Sequence, residues 1–221
     1  MKKKICLGLM LACLSIGLFG CGKTTADYVE DNMSEWTSVF YYGEAENFYA
    51  SISSGVREEP YLMNGSSENK VDFALLSVCF NEGLGQDLIK ATLTIDGTQS
   101  EVELEINGLN NCFMVDLERR LTGDEVVTLS YEGQEISLEN LSNNFVVNDQ
   151  QAIEIASAEL EEEITKLKSG SHLNAECYLR VLDKQANNFD GTFWCFTVIN
   201  VENETYSIII STADGSILAK T

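Results

Sequence analysis

From Thr37 to Leu138 apolar and polar residues alternate with a period of two, the pattern of half-buried β-strands. The clearest stretch sets Ile89, Ala91, Leu93 and Ile95 against Lys90, Thr92, Thr94 and Asp96. Val102, Leu104 and Ile106 then alternate with Glu101, Glu103 and Glu105. Asp96-Gly97 lies between the two runs and supplies the positive backbone angles that a tight hairpin needs. Each strand of this hairpin is oily on one face and polar on the other, so it covers a core on one side only. A second hairpin joins Val127, Leu129 and Tyr131 to Ile136 and Leu138 across Glu132-Gly133. Further strands are expected at 47–54, 70–80 and 111–118. Val71 to Phe80 is apolar on both faces and reads as a central strand. Seven or eight short strands with regular turn signals predict an antiparallel β-sandwich over residues 37–147. It is immunoglobulin-like in pattern, although no Trp stands between Cys79 and Cys112.

The period changes at Asn148. Ile153, Ala156, Leu160, Ile164 and Leu167 recur at three- and four-residue steps, which predicts one long amphipathic helix. Asn148 is placed to cap it, with Gln151 making the reciprocal contact. Gly170 can end it in the left-handed conformation. Strands follow at 174–182, 192–200, 205–211 and 216–220, giving an α+β unit over residues 148–221. The helix opening Gln151-Ala152-Ile153-Glu154-Ile155-Ala156 and the ending Tyr206 to Leu218, with its turn at Asp214-Gly215, resemble a PepSY-type domain. That resemblance implies one helix on an antiparallel sheet, no catalytic residues, and a role in inhibiting or chaperoning peptidases.

The first residues give an address. Lys2, Lys3 and Lys4 precede an uncharged apolar stretch from Ile5 to Phe19, too short for a membrane span and flanked like a secretory signal. Leu18-Phe19-Gly20-Cys21 closes it and resembles the lipobox of bacterial lipoproteins. The resemblance implies a signal peptide over 1–20 and a diacylglycerol on Cys21. Residues 21–36 would then be a tether on the extracytoplasmic face of the cell membrane. Loss of the three lysines takes the formal charge from -21 to -24. So acidic a chain repels nucleic-acid phosphates and anionic headgroups, so the lipid on Cys21, not a basic patch, must hold it at the bilayer.

Few residues suggest chemistry. Cys79, Cys112, Cys177 and Cys195 all lie in apolar strand patterns, where a thiol packs as a small hydrophobe. Cys177 with Cys195, on neighbouring strands, is the best disulfide candidate. The single histidine, His172, sits in a polar turn with no nucleophile beside it. No Cys-x-x-Cys pair or EF-hand spacing suggests a metal, and no phosphate-binding loop suggests a cofactor. Glu101, Glu103 and Glu105 form an exposed acidic stripe, and Glu161 to Glu163 a solvated helix face. Trp36, Phe40, Tyr41, Tyr42, Phe48 and Tyr49 read mainly as core and edge packing. Arg57, Glu58, Glu59, Pro60 and Tyr61 form a polar turn suited to contact with a partner. These features lead to a non-enzymatic module that binds or regulates an envelope protein or peptide. The alternative is a glycan hydrolase working through a pair of carboxyl groups.

Overall fold

The computed structural model describes residues 23–61, 68–107, 111–183 and 191–221; the leader and Cys21 lie outside them. Along the chain come α1 (Thr25–Asp31), β1 (Met33–Glu44), β2 (Phe48–Glu58), β3 (Lys70–Phe80), β4 (Leu88–Ile95) and β5 (Thr98–Ile106). Then follow β6 (Cys112–Asp116), β7 (Val127–Tyr131) and β8 (Gln134–Asn140). Both expected hairpins form, β4 with β5 and β7 with β8. Asp96, Gly97, Glu132 and Gly133 all have positive φ, as two-residue hairpin turns of this hand demand.

The first eight strands are not a sandwich. They run in the order β1-β2-β3-β6-β5-β4-β7-β8, and β8 returns to pair with β1 at Tyr41–Asn140 and Tyr42–Glu139. Every neighbouring pair is antiparallel, so the sheet closes into an eight-stranded barrel. A strand with one oily face fits the inside of a barrel as well as the inside of a sandwich. The alternation therefore fixes which side chains point inward but not whether the sheet closes. Val39, Tyr41, Ile52, Leu76, Val78, Leu93, Leu104, Phe113 and Leu129 fill the interior. Phe80 meets Phe113 and Tyr131 edge to face at one end. The outer face carries the stripe Glu101, Glu103 and Glu105, with Lys90 bridging the first two. An oily interior and a charged exterior is the reverse of a lipid-facing barrel. No helix among the described residues is long and apolar enough to cross a membrane.

Glu125 locks the other end of the barrel. Its carboxylate accepts hydrogen bonds from the backbone N–H groups of Thr122 and Gly123 and from the Tyr41 hydroxyl. Burial opposes its ionisation, but those donors outweigh burial and hold its pKa at about 2. Burial, then the bond to Glu125, pushes the Tyr41 hydroxyl up. Because the folded-state value is depressed, the stabilisation is present above the unfolded carboxyl pKa and is lost as pH falls through about 2. Glu125→Gln is therefore expected to cost about 2 kcal/mol at neutral pH, reduced from the full linkage value because the group is half-buried. Urea titrations at pH 7 and pH 2 should show the gap between the two proteins closing in acid.

The chain continues through α2 (Asp149–Glu159), α3 (Glu161–Leu167), the two-residue strands β9 (Lys168–Ser169) and β10 (His172–Leu173), and then β11 (Ala175–Leu182), β12 (Phe193–Asn200), β13 (Thr205–Ser211) and β14 (Ile217–Lys220). Asn148 and Gln151 form the expected capping box. The expected single helix is two, broken at Leu160, which stays fully buried between them. Nor is this region a one-helix PepSY unit. β11 pairs in parallel with the start of β1, so β11 to β14 continue the barrel wall outward as one sheet. Val29, Met33 and Trp36 join Ile153, Ile164, Leu179, Trp194, Phe196 and Ile210 in a second core. Residues 25–36, expected as a tether with one or two turns of helix between Asp27 and Trp36, are thus folded into the domain: α1 is capped by Thr24 and packs beside α2, and β1 begins at Met33. The N-terminal segment shares with the α2–α3 pair in covering the oily side of the second sheet.

Candidate functional site

One face of β11 to β13 lies under the helices; the other is open. Along β11 the odd residues Ala175, Cys177 and Leu179 enter the second core, so Glu176, Tyr178, Arg180 and Leu182 face the opposite way. On β12, Trp194, Phe196 and Val198 enter the core and leave Cys195, Thr197 and Ile199 on the open side. The end of β2 and the turn after it, Glu58 to Tyr61, stand over this face. Together with Ser34 and Glu35 of β1 they enclose a cleft of about 740 Å³. This volume lies in the range of ligand sites. The barrel interior, by contrast, is filled by side chains.

The cleft has an ordered polar wall. The Arg180 guanidinium donates through Nε and Nη2 to the two carboxylate oxygens of Glu35, at 2.7 and 2.6 Å. This is the bidentate geometry that fixes orientation. Arg57 reaches Asp116 at 2.5 Å and Glu59 at 3.8 Å. The Tyr178 hydroxyl lies 2.8 Å from Glu176 Oε2 and 2.5 Å from the Tyr61 hydroxyl. Burial, followed by the bonds to Tyr61 and Glu176, pushes the Tyr178 hydroxyl well above its ordinary value. Glu176 is fully buried behind it.

Two polar atoms in the cleft-lining residues lack partners. Ser34 is 2% exposed and its Oγ makes no hydrogen bond. It is the extra residue of a β-bulge: Met33 pairs with Cys177 and Glu35 with Tyr178, and Ser34 is skipped. Glu58 is 5% exposed. Its Oε1 accepts from the Glu68 N–H at 3.2 Å, and its Oε2 has no partner. A buried polar atom left unmatched costs about 1–3 kcal/mol, more when charged; both of these atoms lie beneath the cleft wall rather than on its surface.

Only part of this was expected. The turn Arg57 to Tyr61, read as a contact surface, forms one wall. Cys177 and Cys195 stand on neighbouring strands but are not bonded. Cys195 pairs with Arg180, three residues beyond Cys177, so the two side chains lie on opposite faces of the sheet. The disulfide instead joins Cys79 to Cys112, direct cross-strand partners on β3 and β6. His172 is exposed on β10, away from the cleft. Tyr41 and Phe48 pack inside the barrel, and Trp36 donates to Asp149 Oδ2 at 2.8 Å. No group of three or more His, Cys, Asp or Glu side chains among the described residues is arranged to hold a metal ion. Ser34 and Glu176 escaped sequence reasoning; the one available signal was a glutamate inside the apolar run of β11.

The thiols report on this geometry. Cys195 lines the cleft, while Cys177 is fully buried and its thiol is pushed up by burial and by Glu176 beside it. An alkylating reagent should modify Cys195 in the native protein and reach Cys177 only on unfolding. Peptide mapping after brief treatment checks this.

No protein-family model matches the chain, and no curated protein or solved structure matches it.

Proposed function

We propose that the protein is a lipid-anchored extracytoplasmic binding module that holds an envelope protein or peptide segment in the cleft above β11 and β12. The observation that carries this reading is the cleft itself: about 740 Å³, walled by the Arg180–Glu35 and Arg57–Asp116 ion pairs and the linked Tyr178 and Tyr61 hydroxyls. Other features support the setting. A structural disulfide suits an oxidising compartment. A lipobox-like segment ending at Cys21 suits attachment at the membrane, and a formal charge of -21 disfavours nucleic acid. Glycan hydrolysis would need two carboxyl groups free to act across the cleft. Glu35 and Glu59 are instead tied to Arg180 and Arg57.

A photo-crosslinking side chain at Thr197, inside the cleft, tests the reading in cells. It should give a discrete adduct that is absent when the same group replaces Glu101 on the barrel exterior. The adduct should disappear when Ile199→Trp fills the cleft. Equal adducts from Thr197 and Glu101, or none from Thr197, would refute the reading.

A further inference from the structure

On the barrel wall, away from the cleft, we propose that the junction of β5 and β6 receives an extended segment of a partner protein, alternately aliphatic and basic, as an added strand on the open edge of β5. Two rungs alone join these strands, Glu105–Met114 and Ile106–Phe113. The Ile106 N–H bonds to Asp87, just before β4, and the Asn107 N–H bonds to Cys112 of β6. Backbone groups alternate in direction along a strand, so those of Gln99, Glu101 and Glu103 point toward β6. No rung answers them, whereas the other edge of β5 is paired with β4 from Thr98 to Glu105. An unpaired edge is a template for a further strand.

The register explains why the wall opens here. Continuing the ladder would set Glu103 against Asp116 and then Glu101 against Glu118, and like charges directly opposite destabilise a strand pair. The gap is a groove of about 340 Å³. Its floor is the flank of the barrel core, where Ile95, Val102, Val115 and Leu117 are only partly buried. Its rim carries Glu101, Glu103 and Asp116 against one cation, Arg119. Lys90, which bridges Glu101 and Glu103, stands on β4, and Arg57, which pairs with Asp116, stands on β2. Both cations therefore lie on the sides turned away from the groove. The Glu101 and Glu103 side chains are 68% and 56% exposed, so a ligand reaches them. Successive side chains of an added strand point to opposite faces. Those turned inward meet aliphatic groups and those turned outward meet carboxylates, so the fitting segment alternates aliphatic with basic. The same rim repels acidic segments, including a second copy of this chain with its formal charge of -21.

The test uses the full chain in detergent micelles and the peptides acetyl-Thr-Val-X-Val-X-Val-Thr-amide, with X as Lys, Gln or Glu. Hydrogen exchange reads the edge itself. The Glu101 and Glu103 amides should exchange fast in the free protein and about 10-fold slower with the Lys peptide bound. Calorimetry should show the Lys peptide binding about 10-fold tighter than the Gln peptide, as two exposed charge pairs allow, and the Glu peptide not at all. Glu101→Gln combined with Glu103→Gln should bring the Lys and Gln peptides to equal affinity. An antiparallel strand opposite Glu101 and Glu103 bonds to them through its X residues, so N-methylation of both lysines should abolish binding and N-methylation of the first and third valines should not. Equal affinity of the Lys peptide and its N-methyl-lysine form would mean charge attraction without strand addition and would overturn the proposal. So would Glu101 and Glu103 amides already protected in the dilute free chain. Protection that appears only as the protein is concentrated would make the occupant a second copy and overturn the basic segment. Ile199→Trp fills the cleft and leaves the seam open, so binding should survive it; loss of binding there would move the peptide to the cleft. The two surfaces are separate, so an adduct captured from position 101 in cells should differ in mass from the one captured at Thr197.

Discussion

Trp194→Ala should lower the free energy of unfolding by about 3–5 kcal/mol, the range for removing a fully buried aromatic. Trp194 is 1% exposed at the centre of the second core. Its indole Nε1 donates to the Val147 carbonyl at 2.8 Å, and Phe145 meets its ring edge to face at 5.4 Å. The truncation therefore empties a large volume and leaves a buried carbonyl unmatched at the point where the chain passes from the barrel to α2. Its effect should not stay local. β1 supplies Val39 and Tyr41 to the barrel interior and Met33 and Trp36 to the second core. Two cores sharing one continuous strand should melt together. In urea, Trp36 fluorescence and the near-ultraviolet dichroism of the barrel tyrosines should give coincident transitions, both shifted to lower denaturant. A barrel signal that stays at its parental midpoint would show that the shared strand does not couple the two cores.

Replacing Cys79 and Cys112 together by alanine should cost about 3–4 kcal/mol, the chain-entropy value for a closed loop of this size. The two residues are 33 apart in sequence and oppose one another on β3 and β6. The long connection between them contains the whole β4–β5 hairpin, so the cross-link confines a third of the barrel in the unfolded chain. Reductant should bring the parent protein to the midpoint of the double variant and leave the variant unchanged. Equal midpoints for parent and variant without reductant would contradict this role.

How far the sequence reaches can be judged from particular residues. Asp96-Gly97, Glu132-Gly133 and the Asn148–Gln151 cap were legible because each rule acts over a few residues, and all three form. The closure of β8 on β1 was not, because Tyr41 and Asn140 are 99 positions apart in numbering and nothing local marks their pairing. The parallel pairing of Met33 with Cys177 was hidden for the same reason, and it is what turns an expected tether into sheet and helix. For the disulfide, neighbouring strands were a fair guide but register decided: Cys177 and Cys195 differ by three residues in ladder position, whereas Cys79 and Cys112 share a rung. At the cleft, Arg57 to Tyr61 stood out as polar turn residues. Ser34 did not, since a bulge is an event of pairing rather than of composition.

The alkylation rate of Cys195, in intact cells and in the purified chain, tests the central claim most directly, because this thiol lies in the cleft and is not in the disulfide. Occupancy by a cellular segment predicts rapid modification of the purified protein and marked protection in cells. Equal rates in the two settings would mean that the cleft stands empty where the protein works.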